Sequence, residues 1–208
     1  MNTSHKSENL TNVSLSINIL AQYGDNLGSS LATLGKELSL KLEQWGSPGF
    51  THFEETHDMW ATPIWDRDDF NTFSLLPLAQ SSHYFINRNL EVAGIRGTRK
   101  GDAIVSIIAL PNGAFEKAGL EENPNLTSIP VEAPILRAYV HMVKEDFKNQ
   151  SFRNLYNNLQ DFPTDVDGFF EPAMPNVAAW VREFDLGKFL SDPQEVITAV
   201  ADILKTMV

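Results

Sequence analysis

The chain has 208 residues, 42% of them hydrophobic, which is enough for one folded domain with a core of its own. A formal net charge of −11 disfavours non-specific nucleic-acid binding, which depends on neutralising phosphates. The absence of cysteine excludes disulfides, thiolate metal sites and a cysteine nucleophile.

Cysteine-free composition fits a reducing compartment, and a cytoplasmic location is expected. Residues 1–20 lack the charged-then-apolar layout of a secretion signal. No apolar run is long enough to span a bilayer. Residues 1–9 are polar and read as a disordered tail, leaving 10–208 as a single domain that begins with a helical segment over 10–46.

Within that segment Leu10, Val13, Ile17, Leu20, Leu27, Leu31, Leu34, Leu38 and Trp45 fall on alternating steps of three and four, with Gly24 and Lys41 interrupting. This is the a/d spacing of a heptad seam, although the flanking positions carry few charges. Gly24 to Ser30 has turn composition. Val13, Leu15, Ile17 and Ile19 also alternate, so 13–20 has a strand reading too. The preferred arrangement is a first element at 12–22 and a helix at 26–45, capped at Gly46 ahead of Pro48-Gly49. Leu27, Leu31, Leu34 and Leu38 then face either the protein's own sheet or a second copy.

Residues 50–73 are aromatic-rich, with Phe50, Phe53, Trp60, Trp65, Phe70 and Phe73 interrupted by Pro63 and acidic residues. They read as a loop-rich cover with one short strand near 50–55. Next comes the densest run of β-type residues. Residues 83–87 and 90–96 read as strands, and the apolar, β-branched run 103–110 reads as a strand buried on both faces. The spacing predicts 90–96 and 103–110 as an antiparallel pair around the loop Gly97 to Asp102, where a glycine supplies a positive backbone angle.

Beyond Pro111 the chain reads as a surface connection to Pro134, with one helical turn at 115–120. Residues 135–143 alternate as a half-exposed strand, although Ile135, Tyr139 and Val143 also match a helix; 146–160 have helical spacing, 161–175 read as an acidic loop, and 177–184 read as a further strand. The end is a helix over 193–207: Asp192 offers an N-cap oxygen, Pro193 suits the first turn, and Glu195 completes a capping box.

Few catalytic constellations survive inspection. His52 and His57, with Glu54 between them, have the residue types of a zinc-protease helix, but spacing of five turns the second ring about 140° from the first. A loop would have to gather His52, Glu54, His57 and Asp58 around a metal. Asp161, Asp165 and Asp167 lack the spacing of a calcium loop. There is no Gly-x-Ser-x-Gly elbow, and Ser81-Ser82-His83 places hydroxyl and imidazole together only in sequence. On a strand, Arg137 and His141 share one face with Tyr139 between them, as a ribonuclease pair would.

The expected fold is α+β: a mainly antiparallel sheet covered by helices, with an N-terminal helical segment. The leading functional expectation is a non-enzymatic interaction or assembly protein that self-associates, with no cofactor. A second is a module that binds a phosphate-bearing ligand or acidic partner through the basic cluster Arg88, Arg96, Arg99 and Lys100, whose forked donors suit such anions. A third is a metal-dependent hydrolase at His52, His57 and Asp58.

Overall fold

A computed structural model describes residues 3–46, 81–87, 99–114, 130–147 and 162–207, with side chains throughout except over 3–13 and 43–46. Along these the chain forms α1 (Thr3–Glu37), β1 (Leu40–Gly46), β2 (Ser81–Asn87), β3 (Ala103–Leu110), β4 (Ile135–Val143), β5 (Gly168–Phe170), β6 (Val177–Asp185), α2 (Leu186–Ser191) and α3 (Gln194–Thr206). The strands make one sheet in the order β1-β2-β3-β4-β6-β5, with every pair antiparallel. Helices and an antiparallel sheet together give the α+β architecture the sequence predicts.

Two-sided burial explains the composition of the centre. All of β3 and all of β4 except Ile135 are buried, so the apolar side chains of β3, interrupted by Ser106, expose almost no surface. One row, Phe85–Val105–Val140–Trp180, crosses four strands on the face that α1, α2 and α3 cover. On the opposite face Ile108, Leu110, Tyr139 and Val181 pack beneath Phe162, Val166 and Phe170. Alternation along β4 divides it between the layers: Leu136, Ala138 and Val140 join the helical core, while Arg137, Tyr139 and His141 face the other way.

Several expectations are corrected. Strand 90–96 was the expected partner of 103–110, but β3 takes β2 on one side and β4 on the other, so both its edges are filled; 90–96 itself lies outside the described residues. The positive backbone angle expected in that loop is present at Gly101, with φ +87°. The helix expected over 26–45 instead ends at Glu37, and β1 begins at Leu40. Ser39, at φ 54°, turns the chain between them. Leu38 and Leu42 continue the helical stripe of Leu31 and Leu34, but Leu40 falls on its far side; as a strand, Leu40 and Leu42 share one face and β1 gains a ladder with β2.

Upstream, α1 starts at Thr3, within the stretch 1–9 expected as a disordered tail, and runs unbroken through Gly24–Ser30. Tertiary packing outweighs turn propensity there. Gly28 and Ser30 are buried, and the Ser30 hydroxyl donates to the Leu190 carbonyl at 3.4 Å. The acidic loop 161–175 contains the short edge strand β5. The expected strand near 50–55 and helices at 115–120 and 146–160 lie outside the described residues, except that Asp146 and Phe147 are described and not helical.

At the C-terminus, Asp185 caps α2 by accepting from the Lys188 amide at 2.9 Å, and Leu186 and Phe189 are buried beneath it. The Asp192 carboxylate takes the Gln194 amide at 3.0 Å, as a cap should. The return half of the expected capping box is displaced, because the Asp192 amide already donates to the Lys188 carbonyl at 2.7 Å, closing α2. Val196, Ile197 and Val200 form the buried face of α3.

Leu31 and Leu34 hold α1 to this core, each essentially without exposed surface. Leu34→Ala is expected to cost about 2–5 kcal/mol in chemical denaturation. Exposed Thr33→Ala on the next position should stay within about 0.5 kcal/mol of the parent.

Candidate functional site

α1 is longer than what it rests on. Its 35 residues extend about 52 Å, whereas the longest strands, of nine residues, reach about 30 Å. The C-terminal half docks: Leu27, Leu31 and Leu34 are buried in the helical core, against β1, α2 and α3. Tyr23 marks the boundary, its hydroxyl buried and its pKa pushed up by that burial. N-terminal to it the large apolar side chains face solvent: Leu15 is 57% exposed, Ile17 58%, Ile19 56% and Leu20 42%.

These are not scattered hydrophobic residues. At about 100° per residue, Ile17 and Leu20 lie in the same sector of the helix as Leu27, Leu31 and Leu34. The seam that is core in one half therefore continues as surface in the other. No charged residue occurs between Glu8 and Asp25, although the chain as a whole is strongly acidic. Sequence reasoning identified the heptad spacing but not which part of it would be exposed. It also divided the helix at the turn-like Gly24–Ser30. The uncharged run was the signal that could have marked the projecting half.

Of the basic cluster, Arg99 and Lys100 are described and Arg88 and Arg96 lie outside the described residues. Both described side chains are exposed beside the turn into β3. Their backbone amides are already committed: Arg99 N–H donates to Asp102 Oδ2 at 2.7 Å, and Lys100 N–H donates to Asp146 Oδ1 at 2.8 Å. Asp102 is itself buried, which raises its carboxyl pKa, and the Arg99 amide and charge oppose that rise. Two carboxylates thus occupy the amides that a bound anion would use.

β4 does place Arg137 and His141 on one face with Tyr139 between them. Four strand residues separate them by about 13 Å, and the gap is filled. The Tyr139 hydroxyl donates to the Pro163 carbonyl at 3.0 Å, and its ring stands edge-on to Phe162 at 5.0 Å. The His141 ring packs edge-on to Phe162 and Phe170, each at 5.7 Å. Arg137 is ion-paired with Glu183 at 3.2 Å. This arrangement holds the segment 162–170 on the sheet, and it leaves no shared point for a phosphodiester between the two basic groups.

Ser81 and His83 do meet. Two residues apart on β2, they share a face, and His83 Nε2 lies 3.0 Å from Ser81 Oγ, with both residues buried. A nucleophile–base pair also needs a group that orients the imidazole and stabilises its charged form. His83 Nδ1 has no hydrogen-bond partner among the described residues, and burial lowers its pKa to about 3. An imidazole so reluctant to take a proton is a poor general base at neutral pH.

His52, Glu54, His57 and Asp58 lie outside the described residues. Among the described residues no group of three His, Asp or Glu side chains could hold a metal ion, and no helix is long and apolar enough to cross a membrane.

His83 makes a testable contribution to acid sensitivity. Its folded pKa lies below the value of 6.5 expected when unfolded. Above pH 6.5 neither state binds the proton, and the full stability is present. Between about 6.5 and 3 only the unfolded chain binds it, so stability falls by up to about 1.4 kcal/mol per pH unit. Urea titrations at pH 7, 5.5 and 4.5 should show the parent losing stability faster than His83→Gln; parallel losses would contradict the assignment.

No protein-family model, curated protein or solved structure matches the chain. The surface that stands out from the rest is the uncharged, apolar, projecting half of α1.

Proposed function

We propose that this protein is a non-enzymatic assembly protein that self-associates through the projecting half of α1. One observation carries the reading: the seam buried at Leu27, Leu31 and Leu34 continues in register to the exposed Leu20 and Ile17. A helix seam of this spacing buries itself against another helix by knobs-into-holes packing. Each exposed Leu or Ile that becomes fully buried contributes about 1.5–3 kcal/mol.

Local energetics support the same reading. Residues 9–20 are rich in Asn, Ser, Thr, Val and Ile, all weaker helix formers than Ala or Leu. Isolated helices of such length are marginal in water, and packing of an apolar face supplies what propensity does not. A second copy suits the surface because it is uncharged. Two acidic chains repel one another through most of their surfaces, while a helix without charge between Glu8 and Asp25 brings no like-charge penalty to the contact. A membrane surface suits it less, since interfacial helices use Lys and Arg on their polar face and the polar positions here are Ser, Asn and Thr.

Sedimentation velocity of the full chain at tens of micromolar is the test. The parent should sediment above monomer mass, and Ile17→Gln/Leu20→Gln, which keeps good helix formers at both positions, should lower that mass while the thermal melt of the folded body is retained. A parent that stays monomeric across the concentration range would contradict the proposal.

A further inference from the structure

We draw no further inference here: the strongest candidate, the helix face of α1 that exposes Leu15 and Ile19, is an unpartnered apolar patch, and nothing in the structure shows what covers it.

Discussion

The packing of Leu27, Leu31 and Leu34 onto the helical face of the sheet is the contact on which the other features depend. It fixes which sector of α1 faces inward and where along the helix the body ends. The sheet beneath it is held by the Phe85–Val105–Val140–Trp180 row, and α2 and α3 close the same layer through Phe189, Ile197 and Val200. Removing that seam would leave the longest helix without orientation. Beyond it, residues 14–22 of the same helix are exposed.

The two sheet faces are held by different chemistry. The helical face is almost purely apolar, apart from the enclosed Ser81–His83 pair. The opposite face sets Ser106, Arg137, Tyr139 and His141 among aromatic rings, with Arg137 tied to Glu183 and Tyr139 to Pro163. Tyr139 ties the covering segment 162–170 through the Pro163 carbonyl, while Arg137 pairs across the sheet with Glu183 of β6. Among the described residues, Arg137, Tyr139 and His141 pack against the covering segment or its neighbours, and Ser81 and His83 are enclosed on the helical face.

Legibility in the sequence followed how local each determinant is. β3 was readable because AIVSIIAL has one interpretation once it is buried on both faces. α3 was readable from its apolar face and its cap, whereas 135–143 matched a helix as well as a half-exposed strand, and β4 is a strand buried on both faces. The pairing of β3 was not readable, because strand order is set across the whole sheet, whereas local reasoning favours 90–96, the strand-like run nearest to it in sequence. The unbroken course of α1 was hidden for a related reason: Gly24 to Ser30 looks like a turn until the buried Ser30 hydroxyl is seen to donate to the Leu190 carbonyl of α2. β1 was hidden because Leu38 and Leu42 also continue the helical stripe of Leu31 and Leu34. For the candidate surface, the heptad spacing could be read directly. Its exposure could not, since that depends on which elements distant in sequence pack against the helix.

The central claim is that α1 is one helix with two sources of stability, its own core for the docked half and other copies of the chain for the projecting half. Amide hydrogen exchange along α1, followed as a function of protein concentration, tests this most directly. The account predicts protection over 27–37 that does not change with concentration, and protection over 14–22 that rises steeply as chains associate. Equal protection of both halves at every concentration, or rapid exchange over 14–22 even in concentrated solution, would contradict it.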